Sequence, residues 1–223
     1  RRETLERLTR EGLMDLQKRL SLPALPYSLA VISAASAAGY GDFCNHLKNN
    51  EYGFAFRVDL FEALMQGEGA SPSIVAALHR IVSSPVSYDA VLIMRGGGSD
   101  LDLSCFDDYE LGAEIARCPI PVYTAIGHDK DYHVADMIAC SSVKTHTALA
   151  DLFIDCLLTE DQRLASYETR LVLAFQNRLS AMDSLRQLIS QKINFAAFKR
   201  VSDAEYELQR LETRISASDP RSI

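Results

Sequence analysis

Arg95 and the glycines that follow it could bind a phosphate. The chain reads Arg95-Gly96-Gly97-Gly98-Ser99 directly after an apolar run. Three glycines remove every Cβ from the turn, so backbone N–H groups can approach an anion closely, and Arg95 adds a permanent charge with parallel donors. We therefore predict that Arg95, Gly96, Gly97, Gly98 and Ser99 contact phosphate. The alternative is a tight turn that needs positive φ, because glycine motifs alone are weak signals.

His128 is the candidate for proton transfer. It follows another apolar run and Gly127, and Asp131 stands three residues later. A carboxylate at this spacing can orient an imidazole and favour its charged form, as a general acid or base requires. A metal site from His128, Asp131 and His133 is a rival, but this spacing matches no standard ligand pattern.

Two further alternatives compete for the same residues. A serine hydrolase could use Ser99, His128 and Asp131, but Leu101 stands where a G-x-S-x-G elbow needs its last glycine. An ordinary surface or core histidine is the second alternative. It applies more strongly to His133, and it is preferred outright for the remaining histidines, which are His46, His79 and His146.

Small hydroxylated residues follow the first apolar run. Ser33 and Ser36 lie in the segment 33–39, which is otherwise alanine and glycine, and such a turn suits a bound anion. Asp42 stands one to two turns into the next predicted helix and could point back toward that site. On its own, Asp42 would be interpreted as a solvated helix residue.

The elements around these residues predict an α/β fold. Apolar runs at 27–33, 54–61, 89–94 and 120–126 alternate with helical patterns, which indicates βαβ units and a doubly wound parallel sheet of four or more strands. In such sheets ligands bind at the carboxyl ends of strands where the strand order reverses, and Asp42, Arg95 and His128 all follow such ends. The helix after the second strand is predicted to begin with Ser71 as N-cap and Pro72 as its first residue.

A long helix is predicted from about residue 145 onward. No proline occurs between Pro121 and Pro220, and apolar residues step by three or four. We expect a C-terminal helical extension, either a coiled coil or a segment that folds back on itself. The predicted divisions are a linker helix at 1–26, an α/β core at 27–144 and the extension at 145–223. The stripe contains Leu164, Tyr167, Leu171, Phe175, Leu179, Met182, Leu185, Ile189 and Ile193.

Composition excludes several classes of protein. The net charge of −7 is uneven, with seven basic and seventeen acidic residues in 27–156, so a uniformly basic nucleic-acid surface is missing and a phosphate site must be local. Five cysteines without a C-x-x-C pair fit neither a disulfide framework nor a zinc ribbon. No run of 18 apolar residues and no signal-peptide core occur, so we expect a cytoplasmic chain without a membrane partner.

Several motifs together resemble the exonuclease VII large subunit family. They run in order across about residues 10–151, and they are EGLMDLQKRLSLPALPYSLAVISAASAAGYGD, LMQGEGASPSIVAAL, VLIMRGGGSDLDL, CPIPVYTAIGHDKDYHVADMIA and THTALAD. The family's later Arg-Ala-Pro-Thr-Pro-Ser segment appears here as Ser142 to Thr147, without the arginine and the prolines. The family also carries an N-terminal OB-fold for single strands, and no matching strand pattern precedes Arg1, so we expect a fragment that lacks it.

The resemblance implies a function and partners. The family's large subunit joins several copies of a small helical subunit and degrades single-stranded DNA from either end to 5′-phosphorylated products. Its important residues match Asp42, Arg95, His128 and Asp131 by motif. No metal is required in the family, although two carboxylates beside a phosphate could hold Mg²⁺. We expect small subunits to dock on the C-terminal helices, with self-association as a further possibility; the rival function is a non-catalytic nucleotide- or phosphate-binding module.

Overall fold

The computed structural model describes residues 1–95, 103–127 and 132–217. Its described part contains a fully parallel five-stranded sheet in the order β2-β1-β3-β4-β5. The strands are β1 (Ser28–Ser33), β2 (Arg57–Glu62), β3 (Ala90–Met94), β4 (Val122–Ala125) and β5 (Ser141–Ser142). The order reverses between β1 and β3, so the predicted switch point exists.

Helices cover both faces of the sheet. They are α1 (Arg2–Arg10), α2 (Ala38–Lys48), α3 (Ala70–Val82), α4 (Tyr109–Arg117), α5 (Val134–Ile138) and α6 (His146–Ala217). Buried side chains of α1, α3, α4 and α5 form one core with one face of the sheet, and those of α2 and the first turns of α6 form a second core with the other face. The predicted parallel, doubly wound core followed by a long helix is thereby confirmed.

A buried glutamine joins the N-terminal segment to the sheet. Gln17 is fully buried, donates from Nε2 to the Cys118 carbonyl (2.7 Å) and accepts at Oε1 from the Val122 N–H (2.8 Å). Leu8 of α1 is also fully buried, in the core with α4. Residues 1–26 therefore form part of the folded core's packing.

Two local expectations are wrong in detail. The second strand begins at Arg57 and not at Phe54, because the Asn50 side chain already binds both the N–H and the C=O of Phe54 (2.9 and 2.8 Å). Helix α3 has Gly69 as its N-cap, and the Ser71 hydroxyl donates instead to Asp108 Oδ1 (2.7 Å). Asp108 in turn caps α4 by accepting from the Leu111 N–H (3.0 Å), so the Ser71 hydroxyl supports a neighbouring helix.

Helix α6 is one continuous element of 72 residues. At about 1.5 Å per residue it is roughly 108 Å long, so residues 146–217 do not fold back on themselves. Its buried residues all lie in the first turns and end at Leu157. By contact density the chain divides into two units, Arg1–Arg163 and Leu164–Ile223. No helix in the described part has both the length and the apolarity needed to cross a membrane.

Candidate functional site

The carboxyl ends of β1 and β3 are tied together at the switch point. Ile32 pairs with Ile93 in the parallel register. One residue further on, the fully buried Ser33 donates its hydroxyl proton to the Met94 carbonyl (2.8 Å). This hydrogen bond fixes the β3 end immediately before Arg95.

The backbone of Arg95 is bound on both sides. Its N–H donates to the Ala125 carbonyl at the end of β4 (3.2 Å), and its carbonyl accepts from His146 Nε2 at the start of α6 (2.5 Å). Because a carbonyl can only accept, the His146 ring carries its proton on Nε2. Arg95 is thus held between β4 and α6, at the point where the glycine run begins.

Ser33 and Ser36, the two serines predicted to contact phosphate, differ in burial. Ser36 is exposed in the turn between β1 and α2, where an anion could reach it. The Ser33 hydroxyl is buried and its proton is committed to Met94. A phosphate contact by Ser33 would need this hydroxyl to exchange partners, and both contacts stay predictions.

Asp42 lies on an open acidic cleft of about 650 Å³. The cleft is lined by α2, the loop that follows it and the first turns of α6, and Asp42 is exposed on α2. One turn further along α2, His46 Nε2 lies 2.6 Å from Asp151 Oδ1 of α6, which links the two helices. Glu51 and Asp155 add carboxylates to the same cleft, so its own charge favours cations over phosphate.

The remaining predicted site residues lie outside the described residues. They are Gly96, Gly97, Gly98, Ser99, His128 and Asp131. In the sequence these segments directly follow β3 and β4, and their contacts stay predictions. Within the described residues, no group of three histidine, cysteine, aspartate or glutamate side chains is arranged to hold a metal ion.

A buried polar group lies five residues after Asp131 in the sequence. Asp136 is 8% exposed, accepts from the Thr124 hydroxyl of β4 (2.6 Å) and accepts from the His133 N–H (3.1 Å). Burial raises the pKa of the Asp136 carboxyl, and these two donors oppose the rise. His133 is the N-cap of α5, is 7% exposed and lies against Phe106. This cluster anchors the chain directly after the segment that carries His128 and Asp131.

His146 is the residue that sequence reasoning missed. The sequence favours an ordinary surface or core histidine here, but the ring binds the Arg95 carbonyl and lies against Gly39 near the start of α2. The available signal was its position at the predicted start of the long helix. That position alone does not show which loop the ring contacts.

Comparisons with known proteins agree on one family. The family model described as "Exonuclease VII, large subunit" matches residues 13–222. The chain is 34% identical to the exodeoxyribonuclease 7 large subunit of Cyanothece sp., over 100% of this chain and 57% of the relative. It is 31% identical to the protein of that name from Campylobacter jejuni subsp. doylei (89% and 50%) and 32% identical to that from Nostoc sp. (97% and 58%). The chain thus spans 50–58% of the length of these curated relatives.

Proposed function

Because the chain belongs to the exonuclease VII large subunit family, we propose that it carries the catalytic core of an exodeoxyribonuclease. The reaction is hydrolysis of phosphodiester bonds in single-stranded DNA, from either end, to 5′-phosphorylated products. The whole enzyme acts in the cytoplasm and contains several small subunits.

One observation carries the proposal: Arg95, the residue directly before the glycine run, lies at the switch point of the sheet. The Arg95 backbone is bound between the β4 end and the α6 start, and Ser33 ties the neighbouring β1 end to Met94. Ligands of open parallel sheets bind at this place. An arginine followed by three glycines at such a point is suited to a phosphodiester group.

In the proposed mechanism, the segment that follows β3 supplies positive charge and the segment that follows β4 transfers the proton. The Arg95 guanidinium and the amides of Gly96 to Ser99 stabilise negative charge on the phosphoryl oxygens. His128 moves a proton to the leaving oxygen or from the attacking water, and Asp131 orients the imidazole. Asp42 orients water or His128 from α2, the helix whose start lies against His146.

Binding of DNA at this site depends on the positive charge of Arg95, because the neighbouring cleft is acidic. Acidic side chains line the α2–α6 cleft together with Asp42, so the cleft repels a DNA strand and the phosphate has to be bound at Arg95 instead. Much of the affinity for DNA then has to come from other parts of the enzyme.

The exposed part of α6 supports a partner surface. Apolar side chains step along it at helical spacing, and Leu171, Phe175 and Met182 are 71%, 68% and 61% exposed. A stable soluble protein rarely leaves such a stripe uncovered. We propose that the small helical subunits pack on this stripe, with a second copy of α6 as the competing occupant.

A matched pair of variants tests the partner surface. Leu171→Glu/Phe175→Glu places two charges on the stripe, and Ser180→Glu/Ser184→Glu places two charges at the same spacing on another face of α6. Only the first variant should lose the small subunit in a pull-down. Equal capture by both variants would contradict docking on the stripe, and light scattering of the isolated chain distinguishes self-association.

The activity itself is tested with the full-length large subunit assembled with its small subunit. We expect end-labelled single-stranded DNA to be shortened to 5′-phosphorylated fragments, while a duplex of the same sequence is spared. Equal hydrolysis of both substrates would contradict the proposed substrate class. Absence of hydrolysis by an assembled, folded enzyme would contradict the nuclease assignment.

A further inference from the structure

We propose that His146 is a positioning residue for the catalytic arginine. His146 acts through the Arg95 carbonyl, so this inference rests on the proposed function of Arg95. The inference concerns a residue for which the sequence predicted no role.

The imidazole of His146 is fixed by the backbone that carries it. Thr145 is the N-cap of α6, since its hydroxyl oxygen accepts from the Ala148 N–H (3.0 Å) and its carbonyl accepts from the Leu149 N–H (3.0 Å). Just before it, the Val143 N–H donates to the Thr124 carbonyl of β4 (2.9 Å). Leu149 is fully buried in the core with α2, so the first turn of α6 cannot shift independently of the sheet.

Gly39 makes room for the ring. A Cβ on Gly39 would overlap the imidazole of His146, so the ring packs closely against bare backbone in the first turn of α2. Gly39 itself is buried and has no positive φ, so backbone conformation does not require glycine here. The absence of a side chain is therefore explained by the close approach of His146.

The hydrogen bond from His146 ends at Arg95, the residue directly before the glycine run. With its N–H bound to Ala125 and its carbonyl bound to His146, Arg95 has both main-chain polar groups anchored. The Cα of Arg95 is thus fixed between β4 and α6. This fixes the point from which the side chain extends and so limits the positions that the guanidinium can reach. A transition state for phosphoryl transfer depends on such placement, since small displacements of a charged group lower the rate steeply.

The same histidine connects two segments that carry proposed site residues. His146 contacts α2 one turn before Asp42, and it binds the Arg95 carbonyl directly after β3. Loss of the ring would leave the Arg95 carbonyl without this donor and open a gap beside Gly39. The expected result is a displaced arginine in a chain whose core is otherwise intact.

Two substitutions of similar size separate the hydrogen bond from packing. In His146→Gln the side-chain amide can donate near the position of Nε2, whereas His146→Leu fills space without a donor. In the assembled full-length enzyme we expect His146→Leu to lower kcat on single-stranded DNA by about 10-fold or more with KM changed little. His146→Gln should recover most of the rate, and His79→Ala, at an exposed histidine of α3, should leave it unchanged.

A second readout does not depend on activity. Trypsin cuts the peptide bond whose carbonyl His146 binds, so limited digestion mapped by mass spectrometry reports how firmly Arg95 is held. Cleavage after Arg95 should accelerate several-fold in His146→Leu and not in His146→Gln, while cleavage after Arg117 reports global unfolding in both.

The two readouts separate the inference from the proposed function. If the wild-type enzyme does not hydrolyse DNA, the proposed function fails and the digestion still judges the contact. If His146→Leu and His146→Gln match each other in both rate and cleavage, the positioning role is overturned.

Discussion

Gly39→Ala tests the close approach of α2 and α6, where Gly39 contacts the His146 ring. Alanine favours helix by about 1 kcal/mol over glycine, but its Cβ would overlap the His146 ring. Overpacking of this kind costs about 1–3 kcal/mol. We therefore expect Gly39→Ala to lower the free energy of unfolding by about 0–2 kcal/mol, despite the better helix propensity.

The double mutant identifies the cause. In the His146→Ala background the ring is gone, so the overlap disappears and Gly39→Ala should stabilise the chain by up to about 1 kcal/mol. The coupling between the two positions should then be about 1–3 kcal/mol. Urea titrations followed by tyrosine fluorescence measure all four proteins, since the chain has nine tyrosines and no tryptophan.

Additive effects of the two substitutions would contradict the overlap between Gly39 and His146. If the two substitutions add to within about 0.5 kcal/mol, then the ring does not rest on Gly39 in solution. In the full-length enzyme, Gly39→Ala should also lower the rate of DNA hydrolysis, because the displaced ring can no longer reach the Arg95 carbonyl. If Gly39→Ala shows strong coupling to His146→Ala but hydrolyses DNA at the normal rate, then the ring packs on Gly39 without positioning Arg95 for catalysis.

Three further predictions concern stability and cofactor use. Gln17→Ala leaves the Cys118 carbonyl and the Val122 N–H without their buried partner, so urea titration should show a loss of about 2–5 kcal/mol; a loss under about 1 kcal/mol would contradict the role of this bridge. Because burial raises the folded pKa of Asp136, its contribution is largest below the unfolded pKa and declines as pH rises through the folded value. The unfolding free energy of the wild type relative to Asp136→Asn should therefore fall as pH rises from about 4, and a rise would contradict the raised pKa. We expect DNA hydrolysis to continue in excess EDTA because Arg95 and the glycine-run amides supply the positive charge; loss of activity that Mg²⁺ restores would instead assign the carboxylates to a metal.

Local patterns were sufficient to predict the frame of the site. The runs before Ser33 and Arg95 are apolar and short, and glycines in the sequence after Arg95 predict a strand end there, so both strand ends follow from neighbouring residues alone. Parallel pairing then brings these ends to the same edge of the sheet. Strand β5 has only two residues, both serine, and no periodicity could indicate it.

The unpredicted features depend on contacts between distant parts of the chain. The apolar side chain of Phe54 predicts a strand residue. The Asn50 side chain instead binds the Phe54 N–H and C=O, so Phe54 lies outside β2. His146 lies 51 positions from Arg95, and Gln17 lies 101 positions from Cys118. Neither pair shares a spacing rule, so their hydrogen bonds follow only from how α6 and the N-terminal segment pack on the sheet.

The central claim is that Arg95 and His128 perform the chemistry at the switch point. Single-turnover cleavage of end-labelled single-stranded DNA by the assembled full-length enzyme tests it most directly, with DNA affinity measured on the same preparations. His128→Ala should slow cleavage by about 10²-fold or more while affinity stays within a few-fold, and Arg95→Lys should also be slow because an ammonium cannot replace a bidentate guanidinium. His79→Ala and Arg117→Lys, at exposed positions on α3 and α4, serve as matched controls. An undiminished cleavage rate in His128→Ala would contradict the account.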